Sequence, residues 1–421
     1  MSRPDIVVIG AGAAGLAVAC DLTRAGARAL VLEARGRLGG RILTHQTPNG
    51  PVELGAEFVH GAFEEILDVA TEAGLPLREL DRSGQPEPRQ ASAPRPDPFS
   101  AIDTLLAHAS SAEDESFQQL VDRVDVDPGT KARALGFVVG YHAADPAKIS
   151  ALSLLDNTAA EERPGAERQF RFVRGYDGLV TALSERIVRE RCAVRFGAVV
   201  TGIAWGRGHA VVRTASGEEL TAPKVVVTVP LGVLKAGAID FSPRLPDKQD
   251  ALRRLEMGPA TRISLQFGQE GWSGRDSFGR DGFLFTGEPP FPVFWVSHPG
   301  PGPVVTGWAG GRNALAVATL DEAERVSAAL EVLGGSLGID ANRLRGELRG
   351  GFSHDWQSDP FALGAYSYAA VGGRHAGTEL AASVESTLFF AGEATQSDGR
   401  NATVHGAIAS GHRAAKQVLA V

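Results

Sequence analysis

The chain opens on a short continuous apolar run, Asp5 to Ile9, followed by a glycine-rich turn and a stretch of small and aliphatic residues from Ala13 to Ala25. A second apolar run covers Ala29 to Glu33. Runs that do not alternate predict strands buried on both faces, and strand–helix–strand in this order predicts the opening of a doubly wound sheet. From Gln85 to Pro98 five prolines interrupt any regular helix, so this stretch reads as a surface loop or internal linker. Helical patterns return at Ser100 to Ala109 and Ser116 to Val124. From Ala193 the texture turns to strands: Val194–Gly197, Val199–Ala204, His209–Thr214 and Val225–Val229, then a block running from Arg262 to Phe267 and on through Phe283, Trp295 and Val305. Asp321 to Leu337 predicts an amphipathic helix. The chain closes with a strand at Leu388–Ala391 and a helix from about Val404 to Leu419. Val404, Ala407, Ile408, Ala414, Ala415, Val418 and Leu419 keep helical spacing there, with Thr403 as N-cap.

Length changes this picture by demanding more than one core: 421 residues predict about two to three domains. With 43% hydrophobic and 22% charged residues, disorder and fibrous folds are excluded. Forty-two Lys and Arg against 50 Asp and Glu give a net charge of −8, which offers no basic footprint for nucleic acid or an anionic membrane. Cys20 and Cys192 are the only cysteines, so a disulfide framework and a cysteine-based metal site are excluded, and both read as buried thiols. The first strand begins by about Ile6, leaving no room for a leader, and no apolar run approaches the roughly 20 residues of a membrane span. A cytoplasmic location is the expectation.

Candidate chemistry starts at Gly10-Ala11-Gly12-Ala13-Ala14-Gly15, a G-x-G-x-x-G turn between strand and helix. Gly10 permits the tight turn, Gly12 lets backbone approach a pyrophosphate, and Gly15 lets helix and strand pack closely. The helix N-terminus offers unpaired N–H groups and its positive dipole end to phosphates. Glu33 ends the second strand at about the 20-residue offset expected for an acceptor of ribose hydroxyls. That acid argues against a 2′-phosphate and leaves NAD and FAD both open. Next comes Ala34-Arg35-Gly36-Arg37-Leu38-Gly39-Gly40-Arg41, in which Arg35 and Arg41 are placed to neutralise a diphosphate and the glycine pair lets backbone pass close to it.

The C-terminal run Leu388-Phe389-Phe390-Ala391-Gly392-Glu393-Ala394-Thr395, with Asn401-Ala402-Thr403-Val404-His405-Gly406-Ala407, completes a set of motifs. The set also holds Gly55-Ala56-Glu57-Phe58-Val59-His60-Gly61, Gly175-Tyr176-Asp177-Gly178-Leu179, Val225 to Lys235, Trp356, and Gly364-Ala365-Tyr366-Ser367-Tyr368. Together they resemble the flavin-containing amine oxidase family, which includes monoamine and polyamine oxidases and flavin-type histone demethylases, over nearly the whole chain. The resemblance implies an α/β fold: a discontinuous Rossmann-type FAD-binding domain (1–80, 176–240 and 355–421) with a second α+β substrate domain (81–175 and 241–354) built on a mixed sheet. It implies FAD contacts at Gly10, Gly12, Ala14, Gly15, Glu33, Ala34, Arg35, Gly40, Arg41, Gly55, Ala56, Glu57, Val200, Trp356, Gly392, Glu393, Thr403 and Val404. Glu393 would meet the ribityl–diphosphate region, the Val404 backbone the pyrimidine edge, and the Val200 backbone the adenine. A helix N-terminus at the flavin would stabilise the negative charge that builds there on reduction. No cysteine lies near these motifs, so the FAD is expected to be non-covalent.

By the same resemblance the substrate is a small-molecule amine and the reaction a hydride transfer to flavin, with O2 or another molecule as final acceptor. Tyr366 matches one wall of an aromatic cage, while Thr403 stands where many relatives carry the second aromatic. Trp295 and Trp308 read either as further walls or as core residues. Phe58 replaces a usual Trp. His60 matches a His of the polyamine oxidase branch and reads as a plain hydrogen-bonding residue, a partner of the substrate nitrogen, or a proton acceptor. The main departure is Arg262, where most relatives carry a Lys that holds a water against the flavin. Alternation puts Ile263, Leu265 and Phe267 on one face and Arg262, Ser264 and Gln266 on the other. Arg cannot lose its proton as a buried Lys can, which leaves three readings of Arg262: slow reoxidation by O2, a dehydrogenase with another acceptor, or an Arg that binds a substrate carboxylate.

Three functions compete: an amine oxidase, a desaturase or isomerase of a hydrophobic substrate, and a non-catalytic FAD-binding protein. The His60 and Tyr366 motifs favour the first. No inserted coiled-coil tower is present, which argues against a histone substrate. The segments from about Gly84 to Asp127 and Gly268 to Gly311 are expected to line the route to the site. Neither the particular amine nor the oligomeric state is written in the sequence.

Overall fold

In a computed structural model, described for residues 4–80, 98–110, 113–190, 192–268, 272–274, 278, 282–298 and 302–421, the first strand Ile6–Ile9 lies at the centre of a five-stranded sheet. Across that sheet the order is Leu388–Phe390, Lys224–Val227, Ile6–Ile9, Ala29–Leu32, Ala193–Arg195, and every neighbouring pair is parallel. Strands from both ends of the chain thus share one sheet. Each face is covered, which is why the strands read as unbroken apolar runs. Val8, Val31, Val226 and Phe389 point into a core shared with the helices Ala13–Arg24 and Val404–Leu419. Val7, Ile9, Leu30, Leu32, Val225 and Val227 point the other way, against Val200, Ile203, Ala210 and Val212 of a four-stranded sheet.

The first and last helices approach closely because small residues line their contact. A Cβ at Gly411 would stand 2.5 Å from the Ala14 carbonyl oxygen and 2.8 Å from the Ala17 methyl. The helix boundaries agree with the apolar spacing to within one residue, and Thr403 caps the last helix by accepting from the Gly406 N–H at 3.0 Å.

A second five-stranded sheet has the order Phe283–Phe285, Val293–His298, Val304–Gly310, Ala260–Phe267, Leu348–Phe352. Here the expectation of a mixed sheet is corrected: all four pairings are antiparallel. The connection between Val293–His298 and Val304–Gly310 is too short for the crossover that parallel strands need. The mixed sheet lies elsewhere, in the four-stranded one, where Asp240–Ser242 runs parallel to Val200–Gly206 and the other pairs are antiparallel. Within Ala260–Phe267 the predicted alternation holds. Ile263, Leu265 and Phe267 join a core with Ala329, Leu330 and Leu333 of the helix Glu322–Leu337. The polar face is buried as well, because the hairpin Thr44–Thr47 and Gly50–Glu53 covers it. Ser264 Oγ donates to the Glu53 carbonyl at 3.2 Å and Gln266 Nε2 to Thr47 Oγ1 at 3.0 Å.

Helices Pro98–Leu106, Phe117–Arg123, Pro128–Gly140 and Ala151–Glu161 form a further layer around Leu105, Phe117, Leu120 and Val138. The Pro-rich stretch lies outside the described residues up to position 97, and Pro98 itself begins a helix rather than ending a loop. Cys20 is buried as expected, whereas Cys192 is partly exposed. Among the described residues no helix is long and apolar enough to cross a membrane.

Glu53 ties the hairpin to the next motif along the chain. Its Oε1 accepts from the Tyr176 N–H at 2.8 Å and its Oε2 from the Thr44 hydroxyl at 2.7 Å, while Gly175 takes a φ of +101° to make that approach. Burial pushes the Glu53 carboxyl up to about 8 in spite of these donors. A carboxyl raised on folding contributes stability that is complete below its unfolded value and is lost as pH rises through the folded one. The native protein should therefore lose on the order of 3–4 kcal/mol between pH 5 and pH 8 through this group, at about 1.4 kcal/mol per pKa unit. Denaturant titrations of Glu53→Gln across that range should be flatter with pH than those of the native chain; parallel curves would rule the assignment out.

Candidate active site

The glycine turn folds as its spacing demands. Gly10 has a φ of +101°, and a Cβ at Gly15 would stand 2.0 Å from the Gly10 carbonyl oxygen, so only glycine lets the helix start this close to the strand. Beside Gly12 the nearest atoms to a Cβ are the Gly39 oxygen and the Gly40 Cα, both at 4.0 Å, which puts the second glycine pair against the first. Arg37, to which sequence reasoning gave no role, organises this loop: its guanidinium donates to the carbonyls of Leu38, Gly40 and Ile42. Glu33 is buried, accepting from the Ala11 N–H and the Arg35 N–H, both at 2.8 Å. A carboxylate has about four lone-pair sites, so two remain for a ligand hydroxyl.

These residues line one end of a continuous cavity of about 2150 Å³. Ordinary small-molecule pockets hold about 300–1,000 Å³, so there is room for a dinucleotide and a second molecule. All but one of the residues assigned to cofactor contact line it: Gly10, Gly12, Ala14, Glu33, Ala34, Arg35, Gly40, Arg41, Gly55, Ala56, Glu57, Val200, Trp356, Gly392, Glu393, Thr403 and Val404; Gly15 does not, and packs against the Gly10 carbonyl instead. A dinucleotide therefore fits the cradle, the acid and the volume.

Two assignments gain partners that the sequence did not reveal. Arg35 is paired with Asp359 at 2.6 Å, and Arg41 with Glu393 at 3.0 Å. Glu393 also accepts from the Ser367 hydroxyl at 2.6 Å and the Ala402 N–H at 2.9 Å. It thereby clamps the Tyr366 strand and the turn before the last helix onto the arginine loop. Trp356 donates from its indole to the Leu54 carbonyl at 2.8 Å and closes over Gly55, where a Cβ would stand 1.9 Å from the Arg41 carbonyl oxygen.

At the other end of the cavity Arg262 is 3% exposed. It donates to the Gly55 carbonyl at 3.0 Å, to Thr306 Oγ1 at 3.1 Å and to the Glu57 carboxylate. Glu57 is ion-paired a second time by Arg171 at 2.8 Å and accepts from the Trp295 indole at 3.0 Å. Burial by itself would push the Glu57 carboxyl up; the two guanidiniums outweigh it and hold the group below its ordinary value. Arg171 was not found by sequence reasoning, since nothing in Gln169–Phe172 marks it apart from its apolar neighbours.

Aromatic rings surround this charge cluster. Phe58 lies 5.5 Å from Trp295 and 6.0 Å from Phe283, and Trp295 lies 6.0 Å from Trp308. All four face the cavity, so Trp295 and Trp308 are walls as well as packed residues. The Tyr366 hydroxyl donates to the Tyr141 carbonyl at 2.8 Å, and Tyr366 lines the same cavity. His60 faces the same space, with Gln169 Nε2 at 3.1 Å from its Nδ1. Of the two segments expected to line the route inward, 268–311 contributes Phe283, Phe285 and Pro292. From 84–127, residues 84–97 and 111–112 lie outside the described residues, and none of the described ones lines the cavity; Arg133, Phe137 and Tyr141, at or beside the helix Pro128–Gly140, do.

Comparison with known proteins agrees with this architecture. Residues 13–97 and 93–419 match the family profile described as flavin containing amine oxidoreductase. The chain is 30% identical over 448 residues to polyamine oxidase 3 of Oryza sativa subsp. japonica, covering 98% of this chain and 89% of that one. It is 31% identical over 468 residues to lysine-specific histone demethylase 1 homolog 1 of Arabidopsis thaliana, but spans 52% of that longer protein. A putrescine oxidase solved with putrescine superposes with a TM-score of 0.82 over 100% of this chain and 99% of that one, at 21% identity, a likeness of fold. A flavin carried in a dinucleotide cradle is FAD, and the chain belongs to the flavin containing amine oxidoreductases, enzymes that act on amines.

Proposed function

We propose that the protein oxidises a C–N bond of a small amine, a polyamine or another primary or secondary amine, to an imine. The observation that carries this reading is the continuity of one cavity, with the phosphate cradle at one end and the walls Phe58, Trp295 and Tyr366 at the other. On this reading the parallel sheet at the cradle is a Rossmann-type FAD domain, discontinuous over 1–80, 176–240 and 355–421, and the FAD is non-covalent; neither cysteine lines the cavity. When bound, FAD supplies the oxidation, accepting a hydride equivalent at N5; the imine hydrolyses to an aldehyde or ketone, and O2 reoxidises the cofactor to give H2O2.

The chain's own residues bind, orient and exclude water. Tyr366 and the Phe58–Trp295 pair hold the amine between aromatic faces, and the dry wall keeps it in the neutral form that reacts. Gln169 Nε2, 3.1 Å from His60 Nδ1, orients the ring beside the cavity, where it would hydrogen-bond a substrate nitrogen. The N-terminal end of the Val404–Leu419 helix, which lines the cavity at Val404, would stabilise the negative charge that builds on a bound flavin on reduction. Arg262 is a second, permanent cation at that end, held there by the Glu57 carboxylate, which it shares with Arg171. An amine dehydrogenase passing electrons to another acceptor is the second reading, favoured by Arg262 alone because it cannot release a proton.

Anaerobic mixing with a panel of amines should bleach the visible flavin bands; if none of them does so, the assignment falls. Oxygen uptake in the same panel then separates oxidase from dehydrogenase. For Arg262→Met we expect the flavin reduction potential to fall by on the order of tens of millivolts, about 30 mV being worth ~1.4 kcal/mol for a two-electron couple. Arg262→Lys, which keeps the charge, should stay near the native value. A potential unmoved in Arg262→Met would remove Arg262 from its role as cofactor-facing cation.

A further inference from the structure

The charges facing the substrate arm of the cavity are of the wrong sign for a polycation. Among the described residues no Asp and no Lys lines the cavity at all. Four glutamates do: Glu33, Glu57, Glu161 and Glu393. Glu33 and Glu393 belong to the dinucleotide end and are held by backbone amides and by Arg41 respectively. Glu57 is neutralised by two guanidiniums. Only Glu161 is left to face a second ammonium, and it accepts from the Tyr141 hydroxyl at 3.2 Å. Against it stand Arg133 and Arg312, both lining the cavity. Among the described residues neither has a carboxylate within ion-pair distance.

The aromatic walls do not compensate. An aromatic face attracts a cation when it is open to one. Here the Arg171 guanidinium already lies 4.6 Å from the Phe58 ring centre, and that of Arg262 lies 5.8 Å from Trp295. The rest of the wall offered to a substrate body is apolar, from Phe283, Leu284, Phe137 and Trp308. A second ammonium in this arm would lose water without gaining a carboxylate and would meet like charge at the mouth.

Resting on the amine-oxidising reading above, we infer that the substrate is a monoamine with an aromatic or aliphatic body, whose far end is uncharged or anionic, and that diamines and polyamines are selected against. Arg133 and Arg312 are the specificity-determining residues, acting by charge.

The test uses the FAD-loaded full chain and three amines matched in length: hexylamine, 6-aminohexanoate and 1,6-diaminohexane. Apparent Kd values come from anaerobic flavin bleaching. Hexylamine and 6-aminohexanoate should each bind at least ten-fold more tightly than the diamine, and the gap should narrow at high salt, where screening weakens surface charge. Arg312→Glu should move the ratio of diamine to hexylamine Kd by three-fold or more in favour of the diamine; Arg312 is exposed, so this variant tests charge without disturbing a core. Bleaching by the diamine at equal or lower concentration than by hexylamine overturns the inference while leaving amine oxidation standing. A ratio unmoved in Arg312→Glu and in Arg133→Glu overturns the electrostatic cause. Bleaching by none of the three, nor by other amines, defeats the parent reading instead.

Discussion

A carboxylate taken out of water must be paired, and the pairing of Glu57 organises the substrate end of this molecule. Its partners come from three separate stretches: Arg171 from Gln169–Phe172, Arg262 from Ala260–Phe267, and Trp295 from Val293–His298. Breaking a buried pair by deleting one member typically costs about 3–5 kcal/mol, because the other charge is left unsolvated. The three strands are thus held in one relation to the Gly55–Gly61 loop by a penalty rather than by a generous attraction. Phe58 and His60, on the same loop, inherit their positions from that constraint. So does Gly55, whose carbonyl accepts from Arg262.

The dinucleotide end obeys a steric constraint instead. Close approach at Gly15 seats the first helix on the first strand, and close approach at Gly411 seats the last helix on the first. Neither contact tolerates a side chain, so the first helix is seated by residues from both ends of the chain. The salt bridge between Arg41 and Glu393 repeats this logic with charge, joining the loop after the second strand to the turn before the last helix. Cradle and substrate arm meet where these two constraint systems touch, along Gly55, Ala56 and Tyr366.

What was legible in the sequence was whatever is encoded within about one element. The apolar runs, the glycine spacing, the Thr403 cap and the alternation through Arg262 all emerged as read. Pairings across long separations did not. Arg35 and Arg41 looked like free cations for a diphosphate, yet Asp359 and Glu393 reach them from the far end of the chain. Arg171 carried no local signal. Strand direction in the second sheet was misread, because a block of strands with turns between them does not state its own topology until connection lengths are counted. The helix Pro128–Gly140 lines the cavity without having been singled out, since a helix with apolar and charged faces has no mark that says which cavity it borders.

The same buried cluster connects the departure at position 262 to the choice of substrate. A lysine there could shed its proton to suit a dry site; an arginine cannot, and must find a carboxylate. Glu57 supplies it, and Arg171 pairs with the same carboxylate. Its negative charge is consumed within the wall, so it is lost as a docking point for a second ammonium. On the proposed reading, a fixed cation beside the cofactor and a preference for singly charged amines are two consequences of one exchange. Restoring a carboxylate at the mouth would relax the second without altering the first, because Arg312 shares no hydrogen bond with Glu57 or Arg262. The two properties are separable by position although they have a common origin.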